Sequence, residues 1–291
     1  MKSEKYYDHK NSHPINLEED GCELDKWNES YGKAVFAKHP KGFLVFLPPN
    51  KLNLCDEYKD ADPYSVEERI DNAFHKRRID CTLEMINEAI KSIEGEAKIL
   101  DIGCGEGHIT GIIKQNHPNA EVSALDYSIS AVEYATEYFP DCDFIVGDAY
   151  NAPYTENYFD IVVCNNLWEH VPGPLDLLNS ITKTLKPNGF VIISTPSRYR
   201  LGNLARVFIG KKAQLISKHH VTEYSVGQVK EQLKFGGYEV TKSYSRPEAK
   251  SGLIAKIINN FFKSIITLTG SHHLLETTIF YLAQNIDNKS E

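Results

Sequence analysis

Three glycines fall within five residues in Asp101-Ile-Gly103-Cys104-Gly105-Glu-Gly107-His108, after a short apolar run and before a helical pattern. Glycine at a strand-to-helix turn adopts left-handed conformations and lets a ligand approach the backbone. A nicotinamide-dinucleotide fingerprint would require Gly or Ala at position 108, and His108 stands there, which argues against hydride chemistry. The next apolar segment ends in Leu125-Asp126, where a carboxylate can accept two hydrogen bonds from a ribose diol. A third ends in Gly147-Asp148-Ala149, which places a second carboxylate along the same crevice. Taken singly, each has a simpler reading. The glycines could only make a tight turn, and Asp126 could only cap the helix that Ser128 and Ser130 announce.

Such residues need a sheet edge to converge. Lys98–Ile102 reads as a strand, followed by a helix over 109–115, a strand over 121–125, a helix over 130–138 and a strand over 143–146. A strand over 161–164, a helix over 175–185 and a strand over 190–194 continue the alternation. This order predicts an α/β chain with a parallel sheet and helices on both faces. A helix over 227–236, a strand over 238–242 and a last strand over 277–284 follow, so 196–222 and 243–275 read as insertions. Upstream, apolar residues recur at helical spacing from Tyr64 to Ile93. Residues 1–63 read as a polar arm carrying a hairpin, Ala34–Lys38 and Phe43–Leu47 around a His-Pro-Lys-Gly turn.

With these elements in order, Ile99-Leu-Asp-Ile-Gly-Cys-Gly-Glu-Gly resembles the first motif of the class I S-adenosylmethionine-dependent methyltransferases. Asp126, Gly147-Asp148-Ala149, Phe159-Asp-Ile-Val-Val-Cys and Leu185-Lys-Pro-Asn-Gly-Phe-Val-Ile-Ile-Ser match its later motifs in order. The resemblance spans about residues 64–284 and is nearest to the small-molecule enzymes of the ubiquinone and menaquinone type. It implies a three-layer α/β/α Rossmann-like fold whose seven-stranded sheet ends in an antiparallel strand. The N-terminal helical region and the two insertions would roof the acceptor. S-adenosyl-L-methionine would be the cofactor. By resemblance, the loop Gly103, Cys104, Gly105 and Gly107 cradles the methionine part, with Asp101 near its amino group. Asp126 would hold the ribose, Tyr127 would border the adenine, Asp148 and Ala149 would read its edge, and Asn165 would line the methyl end.

At the acceptor end, Asn165-Asn-Leu-Trp-Glu169-His170-Val-Pro is similar to the E-x-x-E-H-V-P stretch of the ubiquinone-type O-methyltransferases. Asn166 replaces its first Glu, which argues against metal-assisted chemistry, and no metal is expected. His170 is a candidate general base, with a turn-ordering loop histidine as the alternative. His219-His220-Val-Thr-Glu-Tyr224-Ser is similar to a stretch that precedes the penultimate helix in these enzymes, which makes His220 a second candidate and places Tyr224 at the acceptor. Cys104 and Cys164 read as small buried side chains rather than nucleophiles. The tetrapeptides of adenine or glutamine amino methylation and the Pro-Cys of cytosine methylation are absent after the fourth strand.

Charge supplies the remaining clue. The 291 residues carry a net charge of −8, which disfavours a general polyanion binder. Yet residues 196–263 hold thirteen Lys and Arg against four Glu. Arg198, Arg200 and Arg206 are therefore candidates to bind an anionic small-molecule acceptor, methylated at oxygen. An RNA methyltransferase using the same basic residues and a catalytically silent subunit are the alternatives. Leu253, Ile257, Phe261, Ile265 and Leu268 form a stripe that suits a lid or dimer face better than a shallow membrane contact, so a monomer or homodimer is expected. Six scattered cysteines without a C-x-x-C pair, no apolar leader and no uninterrupted apolar span lead to the expectation of a cytoplasmic protein.

Overall fold

The computed structural model describes residues 2–52, 73–244, 274 and 277–286. Its strands, in chain order, are β1 (Lys2–Asp8), β2 (His13–Asn16), β3 (Gly21–Glu23), β4 (Phe36–Lys38), β5 (Leu44–Val45) and β6 (Lys98–Ile102). Then come β7 (Glu121–Asp126), β8 (Asp143–Val146), β9 (Phe159–Asn165), β10 (Leu185–Pro196), β11 (Tyr238–Tyr244) and β12 (Thr278–Asn285). The helices are α1 (Trp27–Ser30), α2 (Ala73–Ile90), α3 (His108–Asn116), α4 (Ile129–Tyr138), α5 (Pro174–Thr184), α6 (Leu201–Phe208) and α7 (Val226–Phe235).

The main sheet runs β11-β12-β10-β9-β6-β7-β8-β5-β4-β3. It therefore has ten strands, not the seven expected. The seven from β6 to β12 include the expected antiparallel last strand, β12 lying antiparallel to both β10 and β11. The additional three come from the N-terminal arm. Leu44 and Val45 pair in parallel with Ile145 and Val146, and Ala37 pairs antiparallel with Val45. The arm thus covers the β8 edge, whose unpaired backbone groups would otherwise face water. Residues 21–45 of the arm extend the sheet, β1 and β2 form a ribbon of their own, and none of residues 2–52 lines the cavity described below.

Period-two alternation sorts each strand between two apolar layers. Leu100, Val162, Val191, Ile193, Ile279 and Tyr281 face one side, together with Leu177 and Ile181 of α5 and Val229 and Leu233 of α7. Ile99, Ile161, Val163, Ile192, Phe280 and Leu282 face the other, against Met85, Ile86 and Ala89 of α2 and Ile113 of α3. All seven residues of β9 are buried, as a central strand covered on both faces requires. The ribbon β1–β2 crosses the sheet end opposite the glycine loop, where Lys5 Nζ meets Glu121 at 2.6 Å and Asp143 at 2.9 Å. The helical pattern from Tyr64 begins at Ala73 in α2; residues 64–72 and the stripe over 253–268 lie outside the described residues. No described helix is long and apolar enough to cross a membrane.

Candidate active site

At the carboxyl ends of β6 and β9 lies a cavity of about 480 Å³, within the range that holds a small ligand. Asp101, Gly103, Cys104, Gly105 and Glu106 form one wall; Asn165, Asn166, Glu169 and His170 form another. His75 and Arg78 of α2, and Ile216, Ser217 and His220 of the first insertion, also line it.

The glycine loop turns because its backbone does what side chains oppose. Gly103, Gly105 and Gly107 have φ of +76°, +54° and +76°. A Cβ on Gly107 would also stand 2.8 Å from Ala135 Cβ and 2.9 Å from the Phe144 ring. Gly105 N donates to Asp126 Oδ2 at 2.7 Å, while Asp126 Oδ1 accepts from Ser128 N at 2.9 Å. The strand-end acid thus ties the loop of β6 to β7.

Asp101 is 2% exposed and accepts a hydrogen bond from Thr110 Oγ1 at 2.7 Å. Burial pushes its carboxyl up to about 6, against the pull of the Thr110 bond and the Arg78 charge. Burial likewise raises the Cys104 and Cys164 thiols, which keeps both protonated and suits the structural reading. Asn165 donates to Thr82 Oγ1 at 3.1 Å, and its buried Oδ1 finds no hydrogen-bond partner among the described residues. Tyr127 and Ala149 pack on the flanking apolar layers, and Asp148 caps a short 3-10 turn through Tyr150 N. None of Gly107, Asp126, Tyr127, Asp148 and Ala149 is in the cavity wall.

The two candidate histidines meet. Their rings lie 4.9 Å apart, edge to face. His220 Nδ1 is 3.0 Å from Glu223 Oε1, and Glu223, 1% exposed, also receives Arg200 Nη1 at 2.6 Å. Fully buried Glu169 accepts from Asn166 Nδ2 at 3.0 Å, and burial raises its carboxyl above the usual range. One ligating atom each from Glu169, His170 and His220 lies within 4.8 Å of the others, the one such metal-sized grouping among the described residues.

The basic candidates take other places. Arg198, Arg200, Arg206 and Tyr224 do not line the cavity. Arg200 is held by Glu223 and by the carbonyls of Ser197 and Gln214; Arg206 Nε donates to Lys212 O at 3.0 Å. Arg198 Nη1 reaches Thr222 Oγ1 at 3.4 Å, and Tyr224 packs half-buried on the core. The cation in the wall is instead Arg78, one helical turn from His75, whose Nδ1 lies 3.1 Å from Arg78 Nη2. Neither this His-x-x-Arg spacing nor Glu169 carries a sequence signal that sets it apart from ordinary helix or loop residues.

Comparison with known proteins agrees with the fold and narrows the family. The chain is 30% identical over 150 residues to the mitochondrial ubiquinone biosynthesis O-methyltransferase of Schizosaccharomyces pombe, covering 49% of this chain and 53% of that one. It is 28% identical over 138 residues to the demethylmenaquinone methyltransferase of Thermotoga maritima, covering 46% and 56%. The chain thus spans about half the length of these curated relatives. Among solved structures, a SAM-dependent methyltransferase from Archaeoglobus fulgidus superposes with a TM-score of 0.50 at 17% identity, over 72% of this chain and 96% of that one. A [4+2]-cyclase superposes with a TM-score of 0.55 at 15% identity, over 74% and 84%, so the fold alone does not fix the reaction. A model described as a methyltransferase domain matches residues 93–264, more than half of the sequence, and the chain belongs to that methyltransferase-domain family.

Proposed function

We propose that this chain transfers the methyl group of S-adenosyl-L-methionine to an oxygen of a small anionic acceptor held in the cavity. Three features of the site fit that cofactor. The Gly103–Gly105 backbone lies in the wall, buried Asp101 can meet an ammonium, and Asn165 Oδ1 has no partner among the described residues. Asp126, Tyr127, Asp148 and Ala149 would hold its nucleoside end. When bound, the cofactor supplies a methyl group on a positively charged sulfur.

The chain's own task is to orient the acceptor and take its proton. Orientation alone can supply roughly 7–11 kcal/mol of a barrier. His220 is the better-placed base. With Nδ1–H donated to the buried Glu223 carboxylate, Nε2 is left as the proton acceptor. His170, edge-on to it, would position the acceptor hydroxyl. Arg78 and His75 would attract the acceptor's negative charge from the opposite wall. Arg198, Arg200, Arg206 and Tyr224 would act one layer out, holding the segment that carries His220.

The observation that carries this reading is one cavity walled by both the glycine loop and His220, whose ring is held from behind by Glu223. Calorimetry with S-adenosylhomocysteine tests the cofactor half. Incubation with labelled S-adenosylmethionine and panels of phosphorylated and carboxylated metabolites tests the acceptor half. Absence of nucleoside binding would end the proposal; turnover confined to neutral amines would end its acceptor half.

A further inference from the structure

The first insertion displays a surface that methyl transfer does not need. Val207, Phe208 and Ile209, at the end of α6, are 54%, 91% and 64% exposed. Leu215, Ile216 and Val221 follow at 37%, 51% and 56%. Isolated exposed apolar residues are ordinary; three in succession, with three more on the same folded-back loop, are not.

The loop is held in this position. Gln214 and Asn203 exchange two hydrogen bonds, Lys211 N donates to Arg206 O at 2.8 Å, and Ile216 N donates to buried Glu223. The loop's backbone is thus tied inward while its apolar side chains stay exposed. Charge says what they face. Lys211, Lys212 and Lys218 are exposed beside them, and no acidic residue occurs between Asp176 and Glu223. In a protein of net charge −8, every charged side chain of the described segment 201–221 is thus cationic. Aromatic and aliphatic side chains flanked by lysines suit the headgroup boundary of an anionic bilayer. Ile216 belongs both to this face and to the cavity wall.

We infer that α6 and the loop after it, residues 207–221, dock on an anionic lipid surface as a peripheral contact. The contact brings the cavity mouth to the bilayer, so an amphiphilic acceptor can enter at Ile216 with its anionic end toward Arg78. That last use rests on the methyl-transfer reading; the contact itself does not.

The test is co-sedimentation of the full chain with vesicles of equal phosphatidylglycerol and phosphatidylcholine, or of phosphatidylcholine alone, at about 0.05 and 0.5 M salt. Calorimetry with S-adenosylhomocysteine runs in parallel. Binding is expected to the anionic vesicles only, and to weaken at high salt. Each basic residue near such a surface is worth roughly fivefold, so the double variant K211E/K212E should lose at least about twentyfold in partitioning. F208S/I209S should lose at least about tenfold, and both variants should bind the nucleoside like the parent. Equal partitioning of parent and variants would overturn the inference. So would sedimentation showing a dimer that F208S/I209S dissolves, or hydrogen exchange showing 204–216 already protected by the chain itself without vesicles. Intact nucleoside binding with no vesicle binding removes the surface alone; lost nucleoside binding removes the proposed function.

Discussion

Replacing Asp101 by Asn should move stability and nucleoside binding in opposite directions. The carboxyl is buried and raised from the ordinary 3.8 to about 6, so the folded chain holds a proton that the unfolded chain releases more readily. A raised carboxylate costs stability as pH rises from 3.8 to about 6, and at pH 7 the full cost stands, roughly 3 kcal/mol in the empty protein. D101N removes that cost while keeping a partner for Thr110. The empty variant should therefore melt several degrees higher at pH 7, and at about the parent's temperature near pH 4.

Binding behaves the other way. An ammonium in the Gly103–Gly105 loop wants Asp101 ionised, and about nine-tenths of it is ionised at pH 7 but only about a tenth at pH 5. Parent affinity for S-adenosylhomocysteine should thus fall about tenfold from pH 7 to pH 5, with the break near 6. D101N should bind weakly with no break. Calorimetry and thermal melts across pH 4–8 read both quantities. A flat parent profile, the same break in D101N, or a variant that melts lower at pH 7 would refute the reasoning.

Gly107→Ala combines a positive φ of +76° with a Cβ only 2.8 Å from Ala135, so chemical denaturation should show a loss of about 2–4 kcal/mol. His220→Ala should lower kcat by roughly a hundredfold or more while S-adenosylhomocysteine binding persists; an unchanged rate would exclude it as the base. His170→Ala should raise acceptor KM more than it lowers kcat. Glu223→Gln keeps the side chain's shape but loses the charge that Arg200 and His220 share, and should cost roughly 1–3 kcal/mol. Hydrogen exchange over 197–221 should rise with it; unchanged exchange would show that Glu223 does not hold this segment.

The central strands were legible because burial on both faces leaves its mark on composition. Phe159–Cys164 is nearly unbroken apolar sequence, and β9 is buried throughout. The glycine loop was legible because three left-handed positions in five residues leave few alternatives to glycine. The sheet's N-terminal extension was only half legible. A hairpin shows in Ala34–Leu47, but strands of two and three residues such as β5 and β3 owe their existence to the partner they meet, here β8 and β4. Nothing local in Leu44-Val45 specifies pairing with Ile145-Val146, a hundred residues away.

The basic insertion shows the same limit at the level of charge. Arg198, Arg200, Arg206, Lys211, Lys212 and Lys218 form one acid-free run, and sequence offers no reason to divide them. The fold divides them by where it buries Glu223. That carboxylate, sealed under the insertion, captures Arg200 and His220 and thereby fixes the loop they anchor. With Arg206 turned back on Lys212 O, the exposed lysines are left facing outward beside Phe208. One buried acid thus sorts a uniform charge run into an inner set that shapes the cavity and an outer set that faces a partner. Removing it should disturb both at once: Glu223→Gln should weaken catalysis through His220 and vesicle binding through the loop, whereas K211E/K212E should weaken only the second. If Glu223→Gln altered one without the other, the two sets would not share this anchor.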